Sequence, residues 1–169
     1  ETGIMSDYGL KKVSGYIADT QRCYQGNYYA IFPQLSLSGD LGSGISNQMV
    51  LLLNSPGMEK TDTDNDNLTV TPFMQTSDSG YAVTENDQTQ GQYILGAVST
   101  NAISADSSDS DSEDEDDESD ATDTDTKTAR LTVLASASMI SSDITDQLTT
   151  LDNLTLFVNS VTENFDNVN

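Results

Sequence analysis

Short apolar and aromatic runs alternate with polar stretches along most of this chain, and one segment near the C-terminus changes to a helical period. Ile4-Met5-Ser6-Asp7-Tyr8-Gly9-Leu10 has the form of a last helical turn, with Gly9 suited to the left-handed conformation that closes one. Ser14 to Asp19 predicts a strand around Tyr16-Ile17-Ala18, and Tyr28-Tyr29-Ala30-Ile31-Phe32 predicts another that ends at Pro33. Gly39, Gly42 and Gly44 among serines make 36–47 a loop; no Lys-Ser/Thr pair follows them, so it is not a phosphate cradle. Gln48 to Asn54 predicts a buried strand closed by the turn Ser55-Pro56-Gly57. Leu68 to Met74 predicts a strand in which Pro72 implies an edge or a bend, and Tyr93 to Val98 and Leu131 to Ala135 predict two more. From Asp152 as N-cap, apolar residues fall at Leu154, Phe157, Val158, Val161 and Phe165, the spacing of an amphipathic helix packed on a sheet. Leu131 to Ala135, a polar turn through Ser142 and this helix read as a strand-loop-helix unit, so an α/β architecture is expected over an all-β sandwich.

Charge changes the picture in one place. Between Asp106 and Asp125 twelve residues are acidic and none is basic, set among Ser, Thr and Ala. Such a segment repels itself and has almost no apolar surface to offset its ordering entropy, so 106–125 is expected to be a disordered insertion. A low-affinity Ca²⁺ sponge or a partner tail is its functional alternative. Strand-like segments on both sides mean that the run interrupts the single domain expected over 1–169 and does not end it. Of the net charge of −22, the run supplies −12 and leaves −10 elsewhere, which disfavours nucleic acid and anionic lipid as partners.

Composition removes much of catalysis. With no histidine, the chain cannot build a Ser-His-Asp triad, a histidine base or a histidine-containing zinc site. Cys23 stands alone, so no internal disulfide exists and no imidazole can activate the thiol; a structural cysteine is expected. The longest apolar run, Met49 to Leu53, is far short of the roughly 20 residues that span a bilayer. No basic segment leads into an apolar one as in a signal peptide, and the missing initiator Met is what a piece of a longer protein would show.

The remaining candidates are fragments of motifs. Asp62, Asp64 and Asp66 alternate as at the start of a calcium loop, but Asn67 stands where glycine is needed and Phe73 where the bidentate glutamate belongs, so a solvated turn is expected. Asp78-Ser79-Gly80 resembles half of an aspartic-protease dyad without a second copy or preceding apolar residues. Asn67-Leu68-Thr69 and Asn153-Leu154-Thr155 are formal glycosylation sequons.

Several segments in order then resemble the Gld-type auxiliary proteins of ABC transporters, associated in some bacteria with gliding motility. Tyr8-Gly9-Leu10 with Gly15 to Asp19 resembles their "YGL, then a strand, then Asp" passage, and Tyr29 to Pro33 and Val50 to Leu52 fall where their next strands do. Val70-Thr71-Pro72-Phe73-Met74-Gln75-Thr76-Ser77 resembles their "TPL-x-x-TS" strand, followed by a polar turn and Tyr81. Leu131 to Ile140 is similar to the later strand, with Ala135 and Ala137 in place of glycine and an acid, and Asp152 to Val161 resembles the closing "GN-x-x-LFLNAV" helix. The matching order covers nearly the whole chain.

The resemblance implies a flavodoxin-like or amidotransferase-like α/β domain with a mixed sheet, forming the later part of that fold, on the extracytoplasmic face of a bacterial membrane and held there between transmembrane segments that lie outside this sequence. Its partners would be the permease and ATPase of the same transport system. It implies no catalytic residue, cofactor or metal, and the alanines at 135 and 137 leave open whether a ligand crevice persists at that strand end. The expected function is a noncatalytic accessory domain. The alternatives are a calcium-dependent adhesion or surface-layer module using the acidic run with Asp62, Asp64 and Asp66, and a carboxylate hydrolase, for which the sequence shows no motif-grade acid pair.

Overall fold

The computed structural model describes residues 3–103, 127–146 and 148–164. The acidic run at 106–125 and Phe165 lie outside the described residues. The elements are α1 (Ile4–Asp7), β1 (Leu10–Lys12), β2 (Tyr16–Asp19), β3 (Cys23–Tyr24), β4 (Asn27–Ile31), β5 (Gln34–Leu35), a 3₁₀ turn (Gly39–Gly42), β6 (Leu52–Leu53) and β7 (Met58–Lys60). They continue with β8 (Leu68–Gln75), β9 (Gly80–Val83), β10 (Gln88–Gln90), β11 (Ile94–Ile103), β12 (Lys127–Leu134), a second 3₁₀ turn (Ala137–Ile140), α2 (Ser142–Thr145) and α3 (Asn153–Thr162).

Three sheets organise these strands. The largest runs β1-β7-β11-β8-β5, with β12 also paired to β11; the others are β10-β9-β2 and β3-β4-β6. β11 is the centre, buried from Ile94 through Ser99, because it has neighbours on both sides and packing on both faces. Its pairing with β8 slips around Gly96, where an added Cβ would stand 2.9 Å from the Phe73 ring and 2.7 Å from the Met74 methyl. Glycine there lets the two large side chains close over the central strand. Pro72 sits in β8 beyond the reach of β5, which pairs only with Gln75 and Met74, so its missing N–H falls on an open edge.

The main core gathers Ile17 from β2, Ile31 from β4, Leu52 from β6, Phe73 from β8, Leu95 from β11, Met139 and Leu156, each 2% exposed or less. Each such side chain contributes roughly 2 kcal/mol through removal from water. A second cluster, Leu10, Met58, Ile94 and Ala97, fills the other face of the large sheet.

The α/β expectation, flavodoxin-like or amidotransferase-like, is overturned. Every strand pairing among the described residues is antiparallel, and the chain is mostly β. A strand-loop-helix unit becomes an α/β crossover only when the helix leads into a parallel neighbour; here β12 pairs antiparallel with β11, the strand before it in sequence. The misreading has a physical source. β3, β7 and β10 (Cys-Tyr, Met-Glu-Lys and Gln-Thr-Gln) are short and lie at or near sheet edges, so they carry almost no apolar alternation. The strand expected over Gln48 to Asn54 also differs: only Leu52 and Leu53 pair as a strand, and Gln48 and Asn54 turn the chain with positive φ of 52° and 46°.

The helix near the C-terminus is where the period placed it, but it shows the core another face. Asn153, Leu156 and Ser160 are buried, whereas Leu154, Val158 and Val161 are 57%, 47% and 42% exposed; of the predicted stripe's described residues, only Phe157 packs against the core. The rotation follows from Asn153, whose side chain is committed to hydrogen bonds inside the protein, and from Ser160, whose hydroxyl donates to the Phe157 carbonyl and so tolerates burial. Asp152 precedes the helix without a side-chain cap, and its carboxylate instead accepts from the N–H groups of Ser46, Asn47 and Met49.

Candidate functional site

The sequence-level candidates are dispersed. Cys23 is half-buried on β3 in a shallow depression shared with Gln21, Arg22, Phe32, Gln48 and Met49, which holds no carboxylate. The Arg22 guanidinium there donates to the carbonyls of Phe32 and Pro33, at 2.7 and 3.3 Å. Asp62, Asp64 and Asp66 are exposed between β7 and β8, and among the described residues no group of three or more Cys, Asp or Glu is placed to hold a metal ion. Asp78 is exposed in the turn between β8 and β9. Asn67 is exposed just before β8, but Asn153 is 1% exposed and closed to a glycosylating enzyme in the folded chain. Ala135 packs against the second core cluster and Ala137 opens the second 3₁₀ turn, so the end of β12 adjoins packed side chains.

Several polar side chains from the matching segments are deeply buried, Asp19, Ser77 and Asn153 among them. Asp19 is fully buried at the end of β2. Its Oδ1 accepts from Gln21 N–H and Arg22 N–H at 2.9 Å each and from the Ser77 hydroxyl at 2.8 Å, and its Oδ2 accepts from Ser77 N–H at 2.7 Å. Burial by itself would raise the Asp19 pKa, but these bonds, that from Arg22 foremost, favour the carboxylate and together hold it below the ordinary value. The Ser77 hydroxyl also accepts from Ser79 N–H, and the residue is 3% exposed. An acid and a hydroxyl thus lie side by side with every bond directed inward and no access for a substrate. Asn153 works the same way: its Oδ1 accepts from Leu51 N–H at 2.9 Å while its Nδ2 donates to the carbonyls of Leu51 and Met139 at 2.8 and 3.0 Å.

The opposite face of β2 carries a different kind of site. β2 pairs with β9 through Tyr16↔Val83 and Ala18↔Tyr81, and β9 pairs with β10 through Val83↔Gln88 and Tyr81↔Gln90, so these six residues share the outer face. Ile17 and Asp19 point the other way. β4 packs beside β2 and brings Tyr28 and Tyr29 to the rim. The result is a pair of adjoining depressions of about 490 and 400 Å³, both lined by Tyr29 and Val83; Tyr16 borders one, Tyr28 and Tyr81 the other. Gly15 forms part of the wall with φ +86°, and an added Cβ would strike the Val83 carbonyl, so the β1–β2 turn approaches β9 as closely as backbone allows.

Four of the chain's seven tyrosines meet in this groove. Tyr16 and Tyr28 are 56% and 51% exposed, and among the described residues no hydrogen bond uses the hydroxyl of Tyr16, Tyr28, Tyr29 or Tyr81. Tyr24 and Tyr93 contrast with them, since their hydroxyls bond Gln25 Nε2 and the Thr89 carbonyl. Asn54, Thr84, Glu85, Thr20 and Gln88 add polar groups at the edges. No sequence signal marks the groove as a whole, because it joins strands 65 residues apart in the chain, Tyr16 to Tyr81. Its local signal is confined to Tyr16, Tyr28 and Tyr29, which lie within segments predicted as strands, whereas the β9 strand that carries Tyr81 is not predicted.

Comparison of the chain with protein-family models, with curated proteins and with solved structures found no match.

Proposed function

We propose that this chain is a noncatalytic accessory domain of a bacterial ABC transport system, lying on the extracytoplasmic face of the membrane and acting by contact with a partner of that system, the permease with its ATPase. The observation that carries the contact reading is the tyrosine groove. It presents aromatic faces, and hydroxyls that bond nothing among the described residues, to solvent on an antiparallel sheet, while the neighbouring acid and hydroxyl of Asp19 and Ser77 are buried and bonded to one another. Such a surface binds without reacting.

The transport assignment draws on the ordered resemblance to the Gld-type proteins. Asp19 and Ser77 come from two of the matching segments, and Asn153 and Leu51 from two others, so residues far apart in sequence depend on one another in pairs. The flavodoxin-like fold that accompanied the resemblance is not carried forward. Chemical cross-linking of the protein in its native membranes, followed by mass spectrometry, is expected to recover a permease of the ABC type joined to this domain. Recovery of cell-wall polymers or of further copies of the chain alone would overturn the assignment.

A further inference from the structure

The two depressions adjoin and share Tyr29 and Val83, so together they form one groove across β2, β4 and β9 that suits an extended occupant. Neither is lined by a lysine or an arginine. Glu85 closes one end, and Asp87 follows in the same β9–β10 turn; both are exposed, and among the described residues neither takes part in an ion pair. Tyrosine rings present negative faces, which attract ammonium and guanidinium groups, and a net charge of −22 draws cations from a distance. An anionic occupant is opposed by both.

From this complementarity of charge, we infer that the groove takes an extended, lysine- or arginine-bearing segment of a partner protein, its basic side chains lying over Tyr16 and Tyr28 toward Glu85. A strand-like segment turns alternate side chains to the same side, so every second residue reaches the tyrosines. The hydroxyls of Tyr29 and Tyr81, which bond nothing among the described residues, and the amide of Gln88 are placed to hydrogen-bond the segment's backbone. This deepens the contact reading of the same groove and rests on it.

The test is a titration of the 169-residue chain, by calorimetry and by amide chemical shifts, with the strand-forming octapeptide (Lys-Thr)₄, its glutamine and glutamate counterparts, and a hexamer of N-acetylglucosamine. The lysine peptide is expected to bind, and to shift the amides of β2, β4 and β9. Because a basic peptide is also drawn to the acidic run, the groove variants decide: Tyr16→Ala with Tyr28→Ala should weaken binding about tenfold. Glu85→Gln should weaken it about threefold, more at low salt than at high. Binding unchanged in both variants, equal binding of the glutamine peptide, or a groove that takes the saccharide instead would overturn the inference. Both tyrosines are exposed, and Glu85 tests the same site without removing a ring. No transporter component is present, so failure here is read separately from failure of the cross-linking.

Discussion

On the inner face of β2, Asp19 receives four hydrogen bonds and no solvent; on the outer face of the same strand, Tyr16 is more than half exposed and its hydroxyl bonds nothing among the described residues. Two residues of opposite orientation, three positions apart, divide the labour of the domain. A polar side chain whose bonding capacity is used within the fold holds backbone together, and one whose capacity is left over is available to a partner. Residue type alone therefore misleads here, since the acid is bonded within the fold and the phenol bonds nothing among the described residues.

Removing the inner-face acid should break the comparison most severely. Asp19→Ala strands the N–H groups of Ser77, Gln21 and Arg22 and the Ser77 hydroxyl, and should destabilise the fold by about 3 kcal/mol in urea denaturation. Asp19→Asn should cost less, because one oxygen still accepts. The same site predicts a pH dependence. The Asp19 pKa is lowered in the folded state, so as pH falls through the ordinary value of 3.8 the unfolded chain takes up the proton first. Its contribution is full above that value and lost progressively as pH drops toward the lower folded pKa. The stability gap between the wild-type chain and Asp19→Asn, measured from pH 7 down to pH 2, should accordingly shrink below about pH 4.

Next in size is Asn153→Ala. It leaves the Leu51 N–H and the carbonyls of Leu51 and Met139 without their partner and should cost about 2 kcal/mol, with the C-terminal helix detaching first in hydrogen exchange. On the outer face the expectation reverses. Tyr16→Ala with Tyr28→Ala should change unfolding free energy by no more than about 0.5 kcal/mol while abolishing most groove binding. A large loss of stability from these two substitutions would erase the distinction between the faces. The smallest effect is expected from replacing Asp106 to Asp125 by a short Gly/Ser linker. The strands it joins are held in register by eight residue pairs from Gly96↔Leu134 to Ile103↔Lys127, and loop closure depends only weakly on length, about 0.6 kcal/mol per doubling. Loss of cooperative unfolding in that variant would show the run to be structural.

The sequence displayed those parts whose signal is local. The helix ending at Gly9, whose φ is +72°, the strands around Ile17, Ile31, Met74 and Val98, the Pro72 edge and the C-terminal helix were all legible from runs, turns and period. The sheet order was not, because short polar strands such as Gln88–Gln90 are made by their neighbours and not by their own composition. The helix face was misjudged because hydrophobicity was counted without the amide of Asn153, which fixes the rotation. Asp19 was visible as a strand-ending acid, but its partner Ser77 lies 58 residues away, and nothing local couples them. The groove was least legible, since its tyrosines come from three separate strands and converge only through the β2–β9 register and the packing of β4.

The most direct test of the account is site-specific photo-cross-linking in native membranes, with a photoreactive residue at Tyr28 in the groove or, as a control, at Asp62 between β7 and β8. The account predicts an adduct with an ABC permease from position 28 and none, or far less, from position 62. Equal yields from the two positions, or adducts from position 28 that contain only cell-wall polymer, would contradict it.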